Sequence, residues 1–174
     1  MRPDPGRPQR AGRPRGLTLL EVAMVLAVLA VLSTLAVPSV AARLQRGRLQ
    51  FAAEALAGDL AEARFQAAQR GLTLHLQAQA GADWCWAVTT TPACPCGQAQ
   101  PCQLQRVTAA DHPGVRLVQA MAVRLEPDGS AVAVAQQPAL FESAAGQRVA
   151  VALSPLGRAR LCAPTGAWPT MPAC

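Results

Sequence analysis

The hydrophobic and polar positions of this chain change their spacing along its length, which predicts an apolar membrane-length run, an amphipathic helix and a series of strands. From Val22 to Ala42 no residue is charged, and a helix of these 21 residues would cross about 30 Å of hydrocarbon. Beyond it, apolar residues recur at steps of three and four, the spacing of one helix face. They are Leu49, Ala52, Ala53, Leu56, Leu60, Ala63 and Ala67. The helix is predicted to end near Arg70-Gly71, a basic residue followed by a glycine stop.

After Gly71 the spacing changes to two, which is typical of half-buried strands. The first strand is predicted from Leu72 to Gln79. The others are predicted at Trp84–Thr90, Gln103–Val107, Val115–Val118, Ala120–Leu125, Ala131–Ala135 and Arg148–Leu153. The stretch from Glu126 to Gly129 predicts a tight turn between two of them. One long helix followed by antiparallel strands indicates an α+β fold, with about one hundred residues after the helix for one small domain.

The apolar run has a single acid at its head, Glu21, and a basic segment before it. An ionisable group at a membrane-spanning position costs on the order of 2.5–3.5 kcal/mol near the centre and less near the ends, so Glu21 calls for a partner. Alternatively, the Glu21 side chain extends along the helix to the lipid headgroups. Residues 1–16 hold five arginines, one aspartate and four prolines. Only three arginines lie close beyond the run, so the arginine count favours a cytoplasmic N-terminus and an exported remainder.

The formal net charge of +6 suggests a nucleic-acid-binding protein, but most of that charge lies in the leader. Removing residues 1–16 takes away five arginines and one aspartate and leaves +2. The overall basicity is therefore a targeting feature and does not indicate DNA binding.

Six cysteines lie on the predicted exported side, and an even number in a small exported domain indicates disulfides. Cys162 and Cys174 would close a proline-rich C-terminal loop, contributing on the order of 3 kcal/mol. The other four are Cys85, Cys94, Cys96 and Cys102. Their pairing stays open, with Cys85 and Cys102 expected to have different partners. A zinc site is the alternative, but zinc ligands usually come as two close pairs, and only Cys94 and Cys96 are close.

No residue pattern in the chain indicates catalysis. His75 is predicted on the polar face of a strand and His112 in a loop, and neither is paired in sequence with a nucleophile. The acids are scattered, and no glycine-rich phosphate-binding motif is present. We therefore expect a protein that is not an enzyme and has no cofactor or metal.

The string Gly16-Leu17-Thr18-Leu19-Leu20-Glu21 resembles the processing site of type IV prepilins and type II secretion pseudopilins. The resemblance implies that a prepilin peptidase cleaves after Gly16 and methylates Leu17, and that Glu21 pairs with the N-terminal amine of a neighbouring subunit. Leu17 departs from the phenylalanine most common after the cleavage point. Pilin-like proteins also commonly carry a proline at the place of Pro38, where it would kink the helix.

The C-terminal region resembles the domain shared by the minor pilin FimT and the pseudopilin GspH. Gly157-Arg158-Ala159-Arg160 matches the GRxR motif that carries DNA binding in some FimT-like minor pilins. Arg148 joins Arg158 and Arg160 in a stretch from Ser143 to Cys174 without an acidic side chain. The resemblance implies a contact of these residues with double-stranded DNA, whereas the alternative is an exposed strand whose arginines keep the sheet edge soluble.

Together these features predict a pilin-like protein with four segments: a leader that is removed (1–16), a transmembrane assembly half of the helix (17–42), an amphipathic half (43–70) and a β-rich domain (71–174). It would sit in the inner membrane with its C-terminal domain in the periplasm, and its partners would be other pilins or pseudopilins and the prepilin peptidase. Three functions remain open. They are a FimT-like type IV pilus subunit, a GspH-like subunit of a type II secretion pseudopilus, and a periplasmic binding domain released by ordinary signal peptidase after Ala42.

Overall fold

A computed structural model describes residues 18–134, 137–154, 156–164, 168 and 171–174, except for the side chains of residues 35–38. The chain divides into two compact units, Met1–Ser39 and Val40–Cys174. The described elements are α1 (Leu19–Arg70), β1 (Leu74–Gln79), β2 (Cys85–Thr89), β3 (Gln103–Thr108), β4 (Val115–Gln119), β5 (Ala122–Leu125), β6 (Ala131–Ala133), β7 (Ala139–Ser143), β8 (Arg148–Leu153) and β9 (Ala159–Cys162), with a 3₁₀ turn at Ala109–Asp111. A long helix followed by antiparallel strands confirms the expected α+β, pilin-like fold.

The C-terminal half of α1 supplies one wall of the core. All seven apolar positions predicted for its buried face are at most 3% exposed. They pack in a single cluster with residues of both sheets, including Leu76, Trp86 and Val151. The three-and-four spacing therefore identified the correct helix face.

The end of α1 is set by Gly71, whose φ of 66° lies in the left-handed region that favours glycine. The amide of Leu72 donates a hydrogen bond to the carbonyl of Ala67 at 3.1 Å, the closing bond of a Schellman motif. Because this cap uses the Leu72 amide, β1 begins only at Leu74, whereas the alternating pattern predicts a start at Leu72.

The strands form two antiparallel sheets. The first has the order β3-β2-β1-β5-β6 and the second the order β4-β7-β8-β9. The strand β4 belongs to the second sheet, although β3 and β5, its neighbours along the chain, belong to the first. The chain therefore crosses between the sheets, and α1 packs with the residues that both sheets bury.

Three hairpin loops share one geometry. In each, a glycine with φ between 70° and 78° donates an amide hydrogen bond to the carbonyl of the residue three positions earlier. That earlier residue donates its own amide hydrogen bond to the carbonyl of the residue after the glycine. The loops are Glu126–Ser130, Ser143–Gln147 and Ser154–Arg158. A short loop with glycine in the left-handed position suits the right-handed twist of the flanking strands.

The strand β7 was not predicted from the sequence, and β9 was expected only as an exposed strand that carries Arg158 and Arg160. The strand β7 alternates buried and half-buried residues over only five positions, and β9 is four residues long. In β9 the exposed Arg160 alternates with less exposed residues, as expected for arginines on one face. Short strands of this kind are set by pairing with β8 more than by their own pattern.

Three disulfides join all six cysteines: Cys85 to Cys96, Cys94 to Cys102, and Cys162 to Cys174. Cys85 and Cys102 have different partners, as expected, and Cys162 and Cys174 close the C-terminal loop. Cys85, Ala87 and Cys96 form a small buried cluster of their own. The loop between β2 and β3 is thus held by two covalent links, and its cysteines do not form a zinc site.

Aromatic rings fill the centre of the core around β2. The rings of Trp84 and Trp86 stack with their centroids 5.4 Å apart, and Phe141 meets both edge-on at 5.9 Å. Both indole N–H groups are satisfied. Trp84 donates to the carbonyl of Val115 at 2.9 Å, and Trp86 donates to the carboxylate of Asp59 on α1 at 2.7 Å.

His112 lies in a loop, as the sequence predicts, and its ring belongs to this aromatic cluster. Its ring lies 5.6 Å from that of Phe51, 5.8 Å from Trp86 and 6.0 Å from Trp84, between ring centroids, and the residue is 7% exposed. Burial lowers the pKa of His112 below 6.5, against the opposing charges of Asp111 and Asp59. The neutral imidazole is therefore part of the packed core.

We expect the free energy of unfolding of the Val40–Cys174 unit to fall as the pH drops from 7.5 to 5.5. The unfolded state takes up a proton near pH 6.5, while the folded state resists protonation of His112, so stability is lost below the unfolded pKa. Each pKa unit of lowering corresponds to about 1.4 kcal/mol. Urea unfolding at several pH values measures this dependence.

In the same experiment His112→Gln should flatten the pH dependence. His75→Gln measures the separate contribution of the other histidine, whose pKa is also lowered, first by burial and then by Arg124. An unchanged slope in His112→Gln would contradict the buried neutral state. The pH range stays above the titration of the carboxylates.

Candidate functional site

The N-terminal end of α1 contains the described part of the expected assembly site. The helix begins at Leu19, and the backbone amide of Glu21 donates a hydrogen bond to Thr18 Oγ1 at 3.2 Å. Glu21 lies in the first turn, where the helix dipole favours a negative charge. Gly16 and Leu17 lie outside the described residues, so cleavage and methylation there stay predictions.

Thr18 is a residue that the sequence pattern did not single out. Thr18 and Glu21 have the spacing of a capping box, in which a threonine before the helix accepts a bond from the amide three residues on. The signal in the sequence was a threonine three positions before an acid at the head of an apolar run. Glu21 thus occupies a helix-starting position as well as the position expected for subunit assembly.

The first part of α1 exposes nearly all of its large apolar side chains. Ten of them between Leu19 and Leu32 are 44–89% exposed: Leu19, Leu20, Val22, Met24, Val25, Leu26, Val28, Leu29, Val31 and Leu32. By length and composition α1 could cross a membrane. Pro38 falls within the bounds of α1, but its side chain lies outside the described residues, and the kink stays a prediction.

The second candidate site is the loop between β8 and β9, which presents the Gly157-Arg158-Ala159-Arg160 motif. Gly157 has φ 70°, and its amide donates to the carbonyl of Ser154 at 2.8 Å. A Cβ at this position would lie 2.8 Å from the backbone nitrogen of Ala131 and 3.1 Å from its carbonyl oxygen. Glycine is therefore required twice here, by the backbone conformation and by the close approach to β6.

Arg158 and Arg160 are both exposed and belong to the loop and to β9. The backbone of Arg158 is fixed on both sides, since its amide donates to Ser154 Oγ at 3.1 Å and its carbonyl accepts from the Ser154 amide at 2.8 Å. Among the described residues, neither arginine forms an ion pair. Two guanidinium groups without acidic partners can bind an anion.

The structure does not bring Arg148 to these two arginines. Arg148 begins β8, whereas Arg160 pairs across the sheet with Ala152, four residues or about 13 Å further along that strand. Arg148 also forms an ion pair with Glu142 at 3.3 Å. The charge of Arg148 is therefore partly neutralised. Its acidic partner belongs to the neighbouring strand β7 and lies just before the stretch from Ser143 to Cys174.

His75 does not form a catalytic arrangement in the structure. It is half-buried in β1, between Thr89 of β2 and Arg124 of β5, whereas the sequence pattern predicted a solvated face. His112 has a structural role, because its ring packs against those of Trp84 and Trp86. Among the described residues, no group of three or more histidines, cysteines and acids has the geometry of a metal site.

The family model described as type II transport protein GspH matches residues 52–157, more than half of the chain. The match covers α1 from Ala52 onward and the chain up to Gly157, and it includes neither the processing site nor Arg158 and Arg160. No curated protein and no solved structure matches the chain significantly.

We expect Gly157→Ala to destabilise the Val40–Cys174 unit by more than the roughly 1–2 kcal/mol that a left-handed alanine costs, because its Cβ also meets Ala131. The matched control is Gly146→Ala, which has φ 74° in a loop of the same geometry and no atom within 4 Å of the added Cβ. Urea unfolding of both variants isolates the contact with Ala131. Equal losses would show that β6 gives way at no cost.

Proposed function

The chain belongs to the GspH family, and from this we propose that it is a minor pilin or pseudopilin that enters a filament through α1 after cleavage behind Gly16. The family is one of structural subunits that assemble with other pilins or pseudopilins. The exposed apolar side chains from Leu19 to Leu32 support this role, since within one chain they have no partner of their own in the described structure. Membrane lipid would cover these side chains before assembly, and the helices of neighbouring subunits would cover them afterwards.

The proposed role of Glu21 follows from its position. The carboxylate is the one charge between Thr18 and Ala42, and in the mature chain it would follow the new N-terminus, Leu17, by four residues. The methylated amine of a neighbouring subunit would supply the positive partner that a carboxylate needs in an apolar environment. The N-terminus would face the cytoplasm, and the disulfide-bonded domain the periplasm.

The amphipathic half of α1 offers further contact area to other subunits. Phe51 is 62% exposed and Phe65 is 61% exposed, although the same helix buries seven residues on its other face. Exposed phenylalanines on a helix that is otherwise well packed are typical of protein interfaces. They support assembly beyond the membrane as well as within it.

For the filament, we propose a FimT-like type IV pilus subunit that contacts double-stranded DNA through Arg158 and Arg160. The observation that carries this proposal is the pair of exposed arginines, one in the loop between β8 and β9 and one in β9, which form no ion pair among the described residues. The second candidate is a GspH-like subunit of a type II secretion pseudopilus, which the name of the matching family favours. The ordinary signal-peptidase product is disfavoured because cleavage after Ala42 would remove nearly half of α1, including the whole apolar run.

The expected DNA binding is weak and independent of base sequence. Two phosphate contacts lower the logarithm of the affinity by about 0.9 each per logarithmic unit of salt, so the slope would be close to −2. Trp168, the tryptophan closest to the motif in the sequence, is 9% exposed and belongs to the core, so its ring is not available to stack on a base. Duplex and single-stranded DNA would therefore bind through their phosphates alone.

Mass spectrometry of the protein purified from membranes should find a methylated Leu17 at the N-terminus. Gly16→Ala should leave the leader uncleaved, and Glu21→Ala should be processed but should not enter filaments, since only the subunit contact is lost. Glu21→Gln separates charge from size. A mature N-terminus near Arg43 would overturn the assembly proposal.

The double variant Arg158→Ala, Arg160→Ala should reduce duplex affinity at low salt by about tenfold or more and bring the salt slope down by roughly 1.8. Fluorescence anisotropy with a labelled 20-base-pair duplex measures both values. Arg148→Ala is the control, since its charge is paired with Glu142 and lies at the other end of β8. Equal affinity in the double variant and the native chain would leave the pseudopilus as the better proposal.

A further inference from the structure

The loop that carries Arg158 forms one wall of a groove against α1. The groove has a volume of about 320 Å³, and its opposite wall carries Arg64. Its floor consists of small and apolar residues: Ala57, Leu60, Ala61, Leu125, Ala131 and Ala159. Two arginines that are 94 positions apart in the chain thus line one depression, a relationship that no sequence motif contains.

Arg64 is held in place by the fold. Its Nε donates a hydrogen bond to the carbonyl of Gly129, in the loop between β5 and β6. This bond uses one of the five N–H donors of the guanidinium group and leaves the terminal nitrogens for a ligand. Arg64 is half-buried, so its position is defined better than that of an arginine on an open surface.

The acidic groups near Arg64 do not cancel its charge. The carboxylate of Asp128 feels the positive charge of Arg64, but its lowered pKa is due first to hydrogen bonds from Ser130. Among the described residues the ion pairs are Arg124 with Glu126 and Arg148 with Glu142, and neither includes Arg64 or Arg158. The groove therefore has two available positive charges, with Arg160 exposed on the adjoining strand.

We propose that this groove is a phosphate-binding site for the DNA backbone, with Arg64 and Arg158 as its two walls and Arg160 as the contact to a neighbouring phosphate. The inference rests on the proposed DNA binding and replaces Arg148 by Arg64 as the third arginine. The apolar floor excludes water from one side of the site, which strengthens the attraction between a guanidinium group and a phosphate at its mouth. Gly157 acts as a positioning residue, because a Cβ at this place would collide with Ala131 and push the loop that carries Arg158 away from β6.

The test is the salt dependence of duplex binding by the full chain in non-ionic detergent, with a labelled 20-base-pair duplex and sodium chloride from 25 to 200 mM as chosen conditions. With Arg64 as a third contact the native slope would be about −2.7, and Arg64→Gln should bring it down by about 0.9, to the value of two contacts, and weaken binding severalfold at the lowest salt. Arg70→Gln, which removes the same charge from the same helix outside the groove, should change neither value appreciably. Arg64→Lys should keep most of the slope, since the charge remains.

A fold defect is distinguished by circular dichroism melting of the same samples, and Arg64→Lys keeps the test valid if Arg64→Gln melts early. Suppose that the native chain binds DNA and the double variant Arg158→Ala, Arg160→Ala does not. If Arg64→Gln then binds as Arg70→Gln does, the groove is not a phosphate site and the proposed function survives. If the native chain does not bind the duplex at all, both proposals fail. Binding of hexaglutamate that is sensitive to Arg64→Gln, without an effect on DNA, would assign the groove to an acidic protein partner and overturn the inference.

Discussion

The packing of the second half of α1 against both sheets is the interaction on which the rest of the structure depends. The named strands pair within their own sheets, and an isolated bridge joins Gly81 to Leu117 of β4. The sheets share a core with each other and with the helix through buried side chains. Leucines at 49, 56 and 60 alternate along the buried face with alanines, which allows the backbone of the helix to approach the sheets closely. A buried leucine stabilises a fold by about 1.5–3 kcal/mol relative to an exposed one, so this face accounts for much of the stability of the domain. It also fixes Arg64 and Asp59 at defined positions over the strands.

The sequence predicted those features whose causes are local. The helix face, the glycine stop and most strands follow from residue spacing and turn chemistry, and the structure confirms the fold class. The burial of His112 could not be predicted, because the rings around it come from α1 and from Trp84 and Trp86, more than 20 residues away along the chain. The strand β7 could not be predicted, since five residues carry too little pattern to identify a strand, whereas the alternating arginines did indicate the strand β9.

The candidate DNA site shows the same division between local and distant causes. Gly157, Arg158 and Arg160 are close together in sequence, and their motif is recognisable from the amino-acid sequence alone. Arg148 was grouped with them by distance along the chain, but antiparallel pairing places it at the far end of β8, beside an acid of β7. Arg64 could not have been found at all, because only the docking of α1 beside β6 brings it to the loop. Electrostatic sites assembled from several elements depend on tertiary packing, which a short motif does not encode.

The three disulfides close short stretches of chain, with sequence separations of 8, 11 and 12 between their cysteines, and none of them reaches α1. A filament subunit is held through its helix, while drag or a bound cargo acts on its globular domain. Tension applied in this way runs from α1 into the sheets through the single peptide connection to β1 and through noncovalent side-chain contacts. The cross-links preserve the shape of the peripheral loops under such a load, but the mechanical strength of the subunit is that of its helix-to-sheet core.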